Sequence, residues 1–115
     1  MMDITIKDEA KDYLADKIID GGYIFLVADD GSNKFSDVGG TCTIGNAFKL
    51  VFSKSEDADY TVALTNNVGY KLYTSKNELP YLGNGLTLTF ANRQLVLKDD
   101  SGTLDSAVAK GKAKN

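Results

Sequence analysis

Histidine is absent from the 115-residue chain, and cysteine occurs once, as Cys42. Without an imidazole there is no Ser-His-Asp triad, no Cys-His pair, no His-ligated zinc and no ring base titrating near neutral pH. Most hydrolase mechanisms are thereby removed. A single cysteine cannot close an intramolecular disulfide, which suits a reducing compartment. No apolar run approaches the roughly 20 residues that cross a bilayer, so no membrane association is expected. Basic charge is in short supply, with 13 Lys and Arg against 16 Asp and Glu for a net charge of -3. This argues against nucleic acid as a partner, because phosphate binding draws on clustered cations. The one basic cluster, Lys110, Lys112 and Lys114, lies near the C-terminus and reads as a frayed, solvated end. A P-loop is missing, and Gly83-Asn84-Gly85 lacks the third glycine of a dinucleotide fingerprint. The N-terminus has no basic region followed by a continuous apolar stretch, so it does not read as a secretory signal, and a cytoplasmic location is expected.

What is present describes one soluble-type domain. An apolar share of 43% and a charged share of 25% are ordinary for a globular chain, and this length buries roughly two-thirds of the unfolded surface. Residues 7–18 carry Ala10, Leu14 and Ile18 at fourfold spacing, with Tyr13 and Ile6 beside them, which predicts an amphipathic helix. Asp8 and Glu9 occupy its first turn, where the helix dipole favours negative charge, and Gly21-Gly22 offers a left-handed stop.

Strand patterns follow. Tyr23-Ile24-Phe25-Leu26-Val27-Ala28 is continuously apolar, as in a strand covered on both faces, and Asp29-Asp30-Gly31-Ser32-Asn33 supplies turn chemistry without the ligand spacing of a calcium loop. Residues 41–52 form a long strand in which Cys42, Ile44, Phe48, Leu50 and Phe52 share the core-facing parity. Tyr60, Val62 and Leu64 repeat the alternation, and Thr65-Asn66-Asn67-Val68-Gly69 turns the chain into Tyr70-Lys71-Leu72-Tyr73. Ser75 and Glu78 have the spacing of a capping box ahead of Leu79-Pro80-Tyr81-Leu82. A last hairpin joins residues 86–90 to residues 94–97 through Ala91-Asn92-Arg93. The expectation is an α+β fold: a single β-rich domain with an N-terminal helix packed on mostly antiparallel sheets of about six or seven strands. Residues 1–108 make the domain and residues 109–115 a flexible basic tail. Tyr70, Tyr73 and Tyr81 are expected to serve mainly core and edge packing, and Glu56, Asp57 and Asp59 a solvated loop. No paired carboxylates stand out for acid-base chemistry, and nothing assembles a nucleophile, a base and an oxyanion site, so no enzyme is expected.

Cys42 sits in Gly39-Gly40-Thr41-Cys42-Thr43-Ile44-Gly45. Its parity with Ile44 and Phe48 fits a small buried apolar residue, whereas the flanking glycines fit close approach of a ligand or of a partner's backbone. Together with Ile4-Thr5-Ile6 leading into the first helix and the block Leu79-Pro80-Tyr81-Leu82-Gly83-Asn84-Gly85-Leu86, this segment resembles the first cysteine motif of the HesB-like, A-type iron-sulfur cluster assembly family. The resemblance runs from about Ile4 to Val108. It implies a compact β-rich fold and a carrier, scaffold or regulatory role in iron-sulfur assembly. It also implies a possible homo-oligomer, with assembly proteins or client apoproteins as partners. Cys42 becomes the candidate ligand for an iron-sulfur cluster or iron. The family's C-terminal Cys-Gly-Cys pair corresponds here to Ser101-Gly102-Thr103, without a thiol. One chain therefore offers one thiolate where a cluster takes about four ligands. Two Cys42 thiolates across a dimer, joined by carboxylates such as Asp99, Asp100 or Asp105, would be one way to complete a labile site. The alternative is a non-metal interaction module that keeps the same fold.

Overall fold

Alternation of apolar side chains, with both parities apolar in the two central strands, folds this chain into a closed eight-stranded barrel. The computed structural model describes residues 2–18, 21–28 and 48–112. Its elements are β1 (Met2–Ile6), α1 (Asp8–Ala15), β2 (Tyr23–Ala28), β3 (Phe48–Ser53), β4 (Val62–Asn66), β5 (Leu72–Thr74), a 3-10 turn (Leu79–Tyr81), β6 (Thr87–Ala91), β7 (Gln94–Asp99) and β8 (Gly102–Lys112). Around the barrel the order is β1-β4-β5-β2-β3-β8-β7-β6, and β6 returns to β1. The expected six or seven strands in mostly antiparallel sheets are corrected on both counts. The β1/β4, β1/β6, β2/β5 and β3/β8 pairs are parallel, and the β2/β3, β4/β5, β6/β7 and β7/β8 pairs are antiparallel. Among the described residues each of the eight strands has a neighbour on both sides, so closure removes the free edges that an open sheet would have to protect by charge or cover.

Expected and observed helices agree on their buried face. Ala10 and Leu14 are fully buried, Asp8 and Glu9 stand in the first turn, and Gly21 takes the left-handed φ of 71°. Tyr13 stacks on Phe90 of β6 with ring centroids 4.5 Å apart, which seats α1 against one end of the barrel. The side-chain parity read for β3 also holds: Phe48, Leu50 and Phe52 enter the main core with Ile24 and Leu26, while Val51 packs outside with Phe25, Val27 and Tyr60. The upstream half of that expected strand, Cys42 and Ile44 included, lies outside the described residues, as does the turn at Asp29 and Asp30. The expected tail is corrected as well. Residues 109–112 belong to β8, where Ala109 to Lys112 pair with Lys49 to Phe52.

Two asparagines make the joins that strand pairing alone leaves open. The Asn66 Oδ1 accepts from the Val68 and Tyr70 amides at 3.2 and 2.9 Å, and its Nδ2 donates to the Leu64 and Tyr70 carbonyls at 3.1 and 2.9 Å, fixing the β4–β5 turn. Strand β1 pairs with β4 through Met2–Ile4 and with β6 through residues 5–6. Where β4 ends, Asn67 takes over as a substitute peptide: its Oδ1 accepts from the Ile6 amide at 2.7 Å and its Nδ2 donates to the Ile6 carbonyl at 3.0 Å.

The barrel interior is filled. Ile4, Ile6, Leu14, Ile24, Leu26, Leu50, Leu72, Leu88 and Leu97 surround a residual void of about 10 Å³, too small for a ligand and marginal even for one water. Any binding must therefore use the barrel's ends or its outer face.

Candidate functional site

Strand directions decide which motifs meet. Strands β2, β5 and β7 run one way and β1, β3, β4, β6 and β8 the other. One end of the barrel carries α1. The other collects the end of β2, the start of β3, the chain between β5 and β6, and the β7–β8 turn. Thus Ala28 and Phe48, the residues that flank the 29–47 segment, emerge at the same end as the Leu79–Tyr81 turn and the Asp99–Gly102 hairpin. Cys42, the one candidate thiolate ligand named from sequence, lies outside the described residues.

Two carboxylates hold the strand ends there. Glu78 is only 1% exposed; its Oε2 accepts from the Ala28 amide at 2.9 Å and its Oε1 accepts from the Ser75 hydroxyl. The expected capping box does not form: Ser75 and Glu78 meet side chain to side chain, the turn at Leu79–Tyr81 starts from Glu78 without a side-chain cap, and the far side of the same carboxylate ties down the end of β2. Thr74 adds a hydroxyl donated to the Leu26 carbonyl at 2.8 Å. On the other flank, Asp105 Oδ2 accepts from the Phe48 amide at 2.7 Å and its Oδ1 from the Ala107 amide at 2.9 Å. Sequence reasoning gave Glu78 a local role and missed its reach to β2, a contact across 50 positions that no local pattern could announce.

The hairpin where the Cys-Gly-Cys pair would fall is built from the same kind of bond. Asp99 Oδ1 accepts from the Ser101 amide at 2.9 Å and from the Ser101 hydroxyl at 2.6 Å, while Oδ2 accepts from the Gly83 amide at 3.0 Å. Those donors, the Ser101 hydroxyl foremost, lower the Asp99 pKa below the ordinary carboxylate value. The Asp100 amide donates to the Asn84 carbonyl at 2.9 Å. Gly83 and Gly85 are needed for this docking: a Cβ on the first would strike the Asp99 carboxylate, a Cβ on the second the Asp100 carboxylate, and Gly85 has a φ of +70° besides. So the Gly83-Asn84-Gly85 stretch, unremarkable as a nucleotide motif, is the seat of the β7–β8 turn.

As a ligand set this end is poor. Asp99 and Asp105 are committed to amides and a hydroxyl, and no three His, Cys, Asp or Glu side chains cluster to hold a metal among the described residues. Two of the three carboxylates considered as substitutes for the missing thiols, Asp99 and Asp105, thus already hold backbone amides. Ser101 and Thr103 are exposed, but a hydroxyl rarely gives up its proton to iron.

The tyrosines divide. Tyr70 is half-buried against the core, its hydroxyl donating to the Lys11 carbonyl at 3.4 Å, with its pKa raised by burial and by Asp12. Tyr81 is 44% exposed instead of packed. Tyr73 lines a surface cleft of about 410 Å³ with Phe25, Tyr60, Thr61, Ala58, Glu56 and Asp57, so part of the acidic run expected as a plain solvated loop borders a concavity.

Comparison with known proteins agrees with this architecture. A family profile described as iron-sulphur cluster biosynthesis matches residues 2–112. A crystal structure of a protein from Lactobacillus acidophilus, proposed to act in Fe-S biosynthesis, superposes with a TM-score of 0.84 at 30% identity, covering 96% of this chain and 90% of that one. Another proposed Fe-S biosynthesis protein, from Lactobacillus salivarius and described as having a novel fold, gives 0.77 at 24% identity, covering 96% and 98%. No curated protein matches the sequence. Among the described residues no helix is long and apolar enough to cross a membrane.

Proposed function

Because the chain belongs to the iron-sulphur cluster biosynthesis family, we propose that it serves iron-sulfur assembly as a non-enzymatic accessory protein in which Cys42 is the sole thiolate. The observation that carries this reading is the β7–β8 turn. Where the family resemblance places two thiols, this chain has Ser101 and Thr103, and the neighbouring carboxylate of Asp99 is spent on holding the turn to Gly83. A cluster takes about four ligands, preferably thiolates, since soft sulfur matches iron. A single chain therefore has no complete site. Any iron and sulfide it carries would be cargo shared between Cys42 and thiolates from elsewhere, either a second copy of the chain or a client apoprotein, in the cytoplasm. This favours a regulatory or hand-over role above that of a self-sufficient scaffold.

The test is anaerobic reconstitution with iron and sulfide, followed by a visible spectrum and iron and sulfide counts, for the natural chain and Cys42→Ser side by side. The reading predicts at most about half a cluster per chain, lost in the Ser variant. A full cluster on each chain, or one retained without Cys42, contradicts it. A colourless protein in both cases would transfer the function to the second reading, an interaction module without metal, which the commitment of Asp99 and Asp105 to backbone amides also favours.

A further inference from the structure

Lys110, which reads from the sequence as part of a frayed end, is held by β8 against the helix. Its ammonium donates to the Tyr13 hydroxyl and lies 4.7 Å from the centre of the Tyr13 ring. Lys17, one helical turn beyond Tyr13, places its own ammonium 4.0 Å from the same centre. Phe90 of β6 stacks on that ring, so α1, β6 and β8 meet at a half-buried aromatic pair with two cations on it. Arg93 adds a third cation from the exposed β6–β7 turn at the same end of the barrel. Counter-charge is scarce here. Among the described residues Lys110 and Arg93 have no carboxylate partner, and Lys17 has only Asp16, at 3.6 Å, whose side chain is 82% exposed. An exposed pair of that kind is weak enough for an incoming carboxylate to exchange with it. Asp8 and Glu9 lie at the other end of α1, in its first turn, and Asp12 lies toward Tyr70.

We infer that this patch docks an acidic segment of a protein partner. Two ammonium groups brought onto one ring repel each other, and an anion placed between them relieves that repulsion. The Tyr13 hydroxyl accepts from Lys110, so its own proton remains for a further acceptor oxygen. The three cations come from three parts of the chain around the aromatic pair, an arrangement that meets several carboxylates along a segment better than one compact anion. A half-buried aromatic centre with a charged rim is also the common anatomy of a protein interface. Charge elsewhere sets the orientation. Glu78, Asp99, Asp100 and Asp105 gather at the opposite end of the barrel, so an acidic partner is drawn to the helix end and repelled from the other. The end that carries the Ser101 turn then stays open while the partner is held. The inference does not depend on the iron-sulfur reading.

The experiment is an amide-resolved NMR titration of the full chain at low ionic strength with acetyl-Glu-Glu-Glu-Glu-amide, the same peptide with glutamine throughout, and inorganic phosphate. The glutamate peptide is expected to shift the Tyr13, Lys17, Phe90 and Lys110 amides in a saturable way, and the shifts should fade as salt is added. The glutamine peptide should bind at least about fivefold more weakly. Lys110→Gln and Lys17→Gln should each weaken the glutamate peptide about two- to fivefold, the range of one exposed ion pair. Lys76→Gln, at an exposed cation on the opposite end, should bind as the natural chain does. Equal binding of the glutamine peptide, an equal loss in Lys76→Gln, or shifts spread evenly over all exposed lysines would overturn the site. Phosphate binding as tightly as the glutamate peptide would overturn the assignment to an acidic segment and leave a site for a single oxyanion.

Discussion

Replacing Asn67 with alanine tests how the barrel is closed. In β1 the Thr5 and Lys7 amides turn toward β6, donating to the Leu86 and Leu88 carbonyls at 2.9 Å, so the Ile6 amide and carbonyl face the β4 side. There β4 has already ended, and the Asn67 carboxamide supplies both partners at 2.7 and 3.0 Å. Ile6 is 1% exposed, and a buried backbone group stripped of its partner costs about 1–3 kcal/mol. Both groups together would cost up to about 6 kcal/mol, but these bonds are part-buried and water recovers some of the loss, so about 2–4 kcal/mol is expected. Urea denaturation measures the total. Hydrogen exchange at the Ile6 amide identifies the cause, since Asn67→Asp keeps the acceptor for that amide while losing the donor to the carbonyl. Protection of Ile6 should survive in the Asp variant and collapse in the Ala variant. A loss below about 0.5 kcal/mol, the range of ordinary surface substitutions, with Ile6 protection unchanged, would refute the substitute-peptide role.

Other outcomes follow from the same structure. Leu14→Ala, at a fully buried position that joins the helix to the barrel interior, should lower stability by about 2–5 kcal/mol in urea without changing the denaturant slope. Asp99 has a depressed pKa in the folded protein, so the stability it contributes is present above the ordinary carboxylate value and fades as pH falls through the lower folded value. Thermal unfolding of the natural chain should thus weaken more steeply than that of Asp99→Asn on acidification below about pH 4, and parallel curves would argue against the hairpin's carboxylate bonds.

Elements whose evidence is local were legible in the sequence. Phe48, Leu50 and Phe52 share a parity because a pleated strand alternates sides, and they do share the core. Ser75 and Glu78 have a spacing that brings their side chains together, and they are bonded, although not as a helix cap. Asn92 and Arg93 take positive φ values of 54° and 67° at the expected β6–β7 turn, with Ala91 paired to Gln94 around them. Barrel closure was not legible, because it depends on parallel pairings such as Lys49 with Ala109, brought together across 60 positions by topology and invisible to any local pattern. β1 reads in the sequence as a helix lead-in because it offers only Ile4 and Ile6 to the core. Only the last part of β8, residues 109–112, reads as tail, because Lys110, Gly111 and Lys112 hide a stretch that pairing with β3 holds in place. At the candidate site the sequence pointed to Cys42 and to the missing thiols. It could not show that Asp99 and Asp105 spend their oxygens on the backbone, since those bonds join residues up to 57 positions apart.

The central claim is that this chain belongs to an iron-sulfur assembly family but lacks, at the β7–β8 turn, the thiols for a self-sufficient site. Ser101→Cys with Thr103→Cys tests it most directly, since both positions are exposed on that turn. Iron and sulfide per chain should be counted after anaerobic reconstitution of the double variant and the natural chain. The account predicts that the variant, with three thiolates per chain in place of one, takes up at least about twice the iron and sulfide of the natural chain. Equal loading of the two proteins would contradict it.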